Sequence, residues 1–274
     1  MDKLQGAFRR GSSILKSMKS GHEDLHKIIS DLDHLKYTHE SFTNAQNTTW
    51  ENMSKWACKE KNSAMTDTFQ HLFQLNCLWS EVQREYIESI KKLKMQFKKI
   101  LQSELDLDKS KAHLKHLQQK ESEFVRKASQ CPQEAAAEKI QILANQVQTS
   151  HTEVNRKVVE NENTKVIATK DGLDEISQSY IQMVDKNSII ARAQYDIVKI
   201  LPNFRNQELQ NVRFPGSAEI RNIVHMAKQN IILYKPYFHN TSSPPPPYAV
   251  VANQNSSRSS LENSYNSLSP VPGV

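Results

Sequence analysis

The residues in this chain best suited to bind a ligand are the lysines between positions 91 and 99, where five lysines occur without an acidic residue. Closely spaced ammonium groups attract phosphate, so the chemistry they predict is electrostatic binding of an anionic surface. At about 100° per residue of helix, several basic side chains fall on one flank of the apolar stripe that contains Ile90, Leu93 and Phe97. The predicted headgroup-binding residues of this segment are Arg84, Lys91, Lys94, Lys98 and Lys109.

A second basic segment, residues 1–21, is called the leader here and has a net charge of +4. Large apolar residues on one side of a helix and cations on the other are typical of a segment that lies in a membrane interface. The predicted inserting residues are Leu4, Phe8, Ile14, Leu15 and Met18, and the predicted headgroup-binding residues are Lys3, Arg9, Arg10, Lys16 and Lys19. A solvated, unstructured leader is the alternative, and a nucleic-acid-binding arm would not need the apolar register.

Patterns for catalysis and metal binding are weak. The chain has six glycines and no glycine-rich phosphate loop. His113 and His116 could share one side of a helix and bind a metal, but no third ligand lies near them in the sequence. We therefore predict no enzyme activity, no cofactor and no metal site.

A proline run near the C-terminus fits another kind of partner. Pro245, Pro246, Pro247 and Tyr248 match the PPxY ligand of WW domains, and a preformed polyproline helix also suits SH3 domains. The segment Tyr265–Leu268 matches a tyrosine-based adaptor signal, a pattern that is common by chance and on which no prediction is made.

The elements that must position these residues are long helices. Between positions 22 and 201 the only residues that commonly break regular structure are Gly172 and Pro132. The sequence predicts a leader over 1–21 and a helical domain over 22–234, with helices at about 22–61, 64–130, 133–201 and 217–234. The tail, 235–274, is rich in Ser, Asn and Pro and is predicted to be disordered.

Each long helix carries apolar residues at steps of three or four, which we expect to be shared between helices lying side by side. Ser63 is predicted to cap the second helix, and Gly172 is predicted to mark a bend in the third. The stripe of the first helix comprises Leu25, Ile28, Leu32, Leu35, Phe42, Met53 and Trp56, and that of the second comprises Trp79, Val82, Tyr86, Ile90, Leu93, Phe97 and Ile100.

Composition agrees with one extended helical domain. The 274 residues are 37% apolar, and the net charge of +6 is concentrated in the leader and in residues 84–130. Three cysteines without close spacing fit a reducing compartment. No apolar run approaches the length of a membrane span, and the leader does not read as a signal peptide. These features predict a cytoplasmic protein.

An amphipathic leader, three long helices, lysines on the middle helix and a proline-rich tail together resemble the BAR-domain superfamily. The resemblance covers about residues 1–234 and implies an all-α fold: an elongated antiparallel three-helix coiled-coil bundle that forms a crescent-shaped homodimer. It also implies basic residues on the membrane-facing surface, an inserting leader and a distal tip at Cys131-Pro132.

We expect a peripheral membrane protein on the cytosolic face of anionic phospholipid membranes, where it senses or generates curvature. Its other expected partners are a second copy of the chain and a WW- or SH3-domain protein, with no nucleic acid. A coiled-coil scaffold acting through protein partners is the alternative. It explains the helices equally well but leaves the amphipathic leader without a role.

Overall fold

The computed structural model describes residues 21–60, 62–130, 134–201, 214 and 216–236. These residues form the four helices α1 (Glu23–Ala57), α2 (Ser63–Gln130), α3 (Glu134–Ile200) and α4 (Ser217–Ile232). No strand occurs among them, so the predicted all-α class is confirmed. With 68 and 67 residues, α2 and α3 are each about 100 Å long. The leader, the Cys131-Pro132 turn and the proline-rich motif lie outside the described residues.

The connection between α1 and α2 differs from the predicted one. α1 ends at Ala57, where Lys59 and Glu60 donate backbone hydrogen bonds to Trp56 and Ala57, three residues back. Such tight bonds close a helix. The cap of α2 is Asn62, not Ser63 as predicted, because the Asn62 Oδ1 accepts hydrogen bonds from the backbone N–H groups of Ala64 (3.0 Å) and Met65 (3.2 Å).

The three long helices pack in an antiparallel order, α1 on α2 and α2 on α3. Between α2 and α3, ion pairs join Glu85 to Lys186, Lys92 to Glu175 and Glu104 to Lys165, so residue numbers rise on one helix and fall on the other. Between α1 and α2, His22 bonds Asp108 at one end and the Trp56 ring meets Phe69 at the other.

The contact between α2 and α3 contains most of the apolar core. Val82 and Ile90 of α2 and Ile190 and Ile197 of α3 are almost completely buried, and each contributes about 1.5–3 kcal/mol through burial. α3 runs without interruption through Gly172, where a bend was predicted. A Cβ atom at this position would lie 2.7 Å from Leu93 Cδ1, so the glycine permits close approach of the two helices.

The contact between α1 and α2 is unexpectedly polar. Asn76 of α2 is completely buried; its side chain donates to Asn47 and accepts from Gln46. Of the apolar stripe predicted for α1, four members remain between 36% and 56% exposed, namely Leu35, Phe42, Met53 and Trp56. Two of them contact α2 with one edge only: the Phe42 ring lies 5.8 Å from the Trp79 ring, and the Trp56 ring lies 5.7 Å from the Phe69 ring.

The short helix α4 packs on both α2 and α3. Its buried residues Ile220, Val224 and Ala227 join the core formed by the first turns of α2 and the last turns of α3. Just beyond the helix, the Tyr234 hydroxyl donates a 2.6 Å hydrogen bond to Asp185 of α3. The segment that leads into the tail is thus fixed to α3.

The cap assignment predicts a difference between neighbouring residues. Asn62→Ala removes the acceptor for two backbone N–H groups and should lower the free energy of unfolding by about 1 kcal/mol in a urea titration. Ser63→Ala should have a smaller effect, because the Ser63 side chain is exposed. Equal losses in the two variants would contradict the assignment.

Candidate functional site

The basic residues of α2 form a row along one side of the helix. From Arg84 the row continues through Lys91, Lys98 and Lys109 in steps of seven or eleven residues, which are close to whole numbers of helical turns. Lys120 and Lys127 extend it at the same steps, and both are exposed. The row is about 65 Å long. We call these six residues the basic row.

Lys120 and Lys127 were missed in the sequence prediction, which stopped at Lys109. The seven- and eleven-residue steps themselves were the available signal, because they continue unchanged to Lys127.

Lys94, which was also predicted to bind headgroups, is placed differently. Its side chain is only 19% exposed and forms a 2.6 Å ion pair with Asp33 of α1. Its charge is therefore largely compensated within the chain. Lys92 is likewise paired, with Glu175 of α3.

Two members of the row have acidic neighbours one turn away. Lys91 lies 2.5 Å from Glu88, and this hydrogen bond raises the pKa of Lys91. Lys109 lies 3.0 Å from Asp106, whose pKa is lowered by hydrogen bonds from Gln102 and Lys109. Exposed pairs of this kind add little stability, so both lysines can exchange the carboxylate for a phosphate.

A large apolar face lies on another side of the helices. Along α3, exposed apolar residues recur at steps of seven from Val159 to Tyr180 and then continue to Val198. They are between 46% and 67% exposed: Val159, Val166, Leu173, Tyr180, Val184, Tyr195 and Val198. We call these residues, together with the exposed α1 residues Leu35, Phe42, Met53 and Trp56, the apolar face.

One aromatic side chain links the two halves of the apolar face. The Tyr86 ring of α2 lies 5.3 Å from His39 of α1 and 5.8 Å from Tyr180 of α3. The exposed stripes of α1 and α3 therefore flank the same side of α2. Arg84, Lys91 and Lys98 lie about 120–160° from Tyr86 around that helix, so the basic row is turned away from the apolar face.

A partly buried ion pair joins α2 and α3 level with the middle of the row but on another side of α2. Burial alone would raise the pKa of Glu104, but hydrogen bonds from Lys165 and Asn161 outweigh it, and the pKa of Glu104 is lowered. The Glu104–Lys165 distance is 2.6 Å, and the Glu104 side chain is 17% exposed. This contact resists separation of the two helices where the row lies.

The pair formed by His113 and His116 gains no further metal ligand in the described part of the chain. Among the described residues, no three His, Cys, Asp or Glu side chains lie close enough to share a metal ion, and His113 and His116 are both exposed. None of the helices in the described ranges has a stretch long and apolar enough to cross a bilayer.

Comparisons with known proteins do not assign the chain to a family. No model of a protein family matches it, and no curated protein matches it.

The lowered pKa of Glu104 predicts a pH-dependent contribution to stability. The contribution is present above the ordinary pKa of 4.5 and is lost as the pH falls through the lower value of the folded protein. Glu104→Gln should therefore lower the free energy of unfolding by about 1–2 kcal/mol at pH 7, and the difference from the unsubstituted protein should shrink below pH 4.5.

Glu162→Gln is the matched control, because Glu162 also contacts Lys165 but is 64% exposed. Denaturant titrations at several pH values make the comparison. A deficit for Glu104→Gln that is the same at pH 7 and pH 3 would contradict the assignment.

Proposed function

We propose that the protein binds anionic membrane surfaces from the cytosolic side and senses or generates curvature as a rigid helical homodimer. The observation that carries the proposal is the basic row, six cations over about 65 Å on one helix. A row of this length meets many lipid headgroups at once, and each Lys or Arg near an anionic leaflet contributes roughly 1 kcal/mol. The leader would add shallow insertion through its apolar residues.

The dimer is proposed from the apolar face. On α3 alone this face runs from Val159 to Val198, about 60 Å, and soluble proteins rarely expose contiguous apolar surface of such extent. A second copy offers the same exposed stripes, so a two-fold contact could cover both faces at once. A standard interface needs about 800 Å² per partner, which a face of this length with the α1 residues can supply.

The resemblance to BAR-domain proteins fits this arrangement. It suggests that the helices act as a three-helix coiled-coil bundle and that the dimer is crescent-shaped. The basic row and the apolar face lie on different sides of α2, so a dimer formed through the apolar face leaves the row free for the membrane. A coiled-coil scaffold would use the apolar face as well, but it gives no role to the row.

The tail is proposed to recruit a WW- or SH3-domain protein through Pro245, Pro246, Pro247 and Tyr248. Tyr234 fixes the chain to α3 shortly before this motif.

Charge reversal tests the membrane proposal. Replacing Lys91, Lys98 and Lys109 together by Glu should lower the fraction that sediments with anionic vesicles more than tenfold, because about 1 kcal/mol per cation is lost three times and repulsion is added. Sedimentation of the unsubstituted protein should also fall steeply as salt is raised.

The matched control for this experiment replaces Lys27, Lys55 and Lys59, exposed residues outside the row, by Glu. It makes the same change in net charge and should retain most of the binding. Unchanged sedimentation of the row variant, or an equal loss in the control, would remove the row as the binding surface.

Molar mass tests the dimer. Val166→Asp combined with Leu173→Asp places two carboxylates in the middle of the apolar face and should convert the protein from dimer to monomer by light scattering, because burying unpaired charge is costly. Val125→Asp, at a 46% exposed site on α2, should stay dimeric. A monomeric unsubstituted protein would contradict the proposal outright.

A further inference from the structure

A second open surface lies between α2 and α3, beyond the point where α1 begins. It is a cavity of about 670 Å³ lined by His113, Leu117, Ile142, Gln146, Thr149 and Glu153. Ile142 is 49% exposed. We call it the outer groove. It contains the apolar side chains of Leu117 and Ile142 and no ion pair across it among the described residues.

The same side of α2 and α3 is already occupied by a helix farther along. On α3, Asp185 marks the position of α4, because it accepts a hydrogen bond from Tyr234 just beyond that helix. Ile142 of the groove is 43 residues away from Asp185, close to twelve whole turns, so both residues lie on the same side of α3. On α2, Cys77 lies near Lys228 of α4. His113 of the groove is 36 residues farther along, which is ten turns, so it lies on the same side of α2 as Cys77. α4 and the outer groove therefore lie on one side of the helix pair, at different positions along it.

The leader has the apolar spacing of α4. α4 packs through Ile220, Val224, Ala227 and Ile231, at steps of four, three and four. The leader has Leu4, Phe8, Gly11 and Leu15 at the same steps, again with a small residue in third place. A helix with that pattern can offer the face by which α4 docks.

The leader begins close to the groove along the axis of α2. His22, the residue that precedes α1, bonds Asp108 of α2 at 2.9 Å, and His113 is about 8 Å farther along that helix and about 140° around it. Residues 16–21, which can extend over about 20 Å, are long enough to reach around α2 to the groove. α1 runs antiparallel to α2, so a chain that continues past His22 in the same direction moves toward Leu117. As a helix, the segment from Leu4 to Leu15 spans about 16 Å, the same length as the α3 side of the groove from Ile142 to Glu153.

We propose that the leader of the same chain docks in the outer groove when no membrane is present, with Leu4, Phe8 and Leu15 covered by the groove. The regulatory meaning of this contact rests on the proposed membrane function, although the contact itself does not. Lys109 and Lys120 lie within about 40° of His113 around α2. A membrane that binds the row therefore comes close to the groove and can take up the released leader.

Hydrogen exchange of the full chain without lipid tests this docking. Backbone amides of residues 4–15 should exchange about tenfold more slowly than in an unstructured chain. Ile142→Lys should abolish that protection. Val158→Lys adds the same charge to α3 at a 37% exposed site about 160° away around the helix and should preserve it. Circular dichroism should show unchanged helix content for Val158→Lys and, for Ile142→Lys, a loss no larger than the contribution of residues 4–15.

Unprotected leader amides in the unsubstituted protein would overturn the proposal, and so would protection that Ile142→Lys leaves intact, since the leader would then be docked elsewhere. A second measurement uses vesicles with little anionic lipid. Ile142→Lys should sediment with them more than Val158→Lys does, because its leader is free to insert. The exchange experiment contains no membrane, so protected leader amides combined with a failure of vesicle binding would refute the proposed function and leave the docking standing.

Discussion

Continuous contact between α2 and α3 is the constraint on which the other features depend. Two helices of about 100 Å have no stability as isolated rods in water, and the shared apolar surface between them must be buried along most of their length. Gly172 lets the backbones approach where a Cβ atom would meet Leu93. Ion pairs such as Glu85–Lys186 and Glu104–Lys165 lie along the contact. α1 and α4 are then added to this pair.

The sides of α2 differ in the type of residue that they carry. One side receives α1 through polar contacts centred on the buried Asn76, a second receives α3 through aliphatic residues, and the basic row occupies a side that neither long helix covers. The apolar residues Phe42 and Trp56 of α1 pack edge-on against Trp79 and Phe69 of α2, and about half of each side chain is left exposed. The apolar face is thus left uncovered by the four helices that the structure describes.

Sequence patterns predicted the positions of the helices well, but they did not predict which residues of one helix contact another. The scarcity of Gly and Pro located α2 and α3, and periodicity identified buried residues such as Val82 and Ile90. Periodicity shows that a side of a helix is apolar but does not identify how much of it is covered, so the large exposed fraction of Phe42 and Trp56 could not be predicted. Capping by Asn62 depends on backbone angles that composition does not determine. The burial of Lys94 depends on Asp33, a residue 61 positions away, and such a pair has no local signal.

The regular spacing of the exposed α3 residues has a consequence for how two copies could align. Val159, Val166, Leu173 and Tyr180 are separated by identical steps of seven, so a partner helix displaced by about 10.5 Å would meet nearly the same set of side chains. Val, Val and Leu are similar in volume and discriminate weakly between such alignments. Tyr180 is the one large aromatic ring among the four, and it stacks edge-on with Tyr86. In the proposed dimer, sliding of one copy along the other would therefore be limited mainly by the Tyr180 ring.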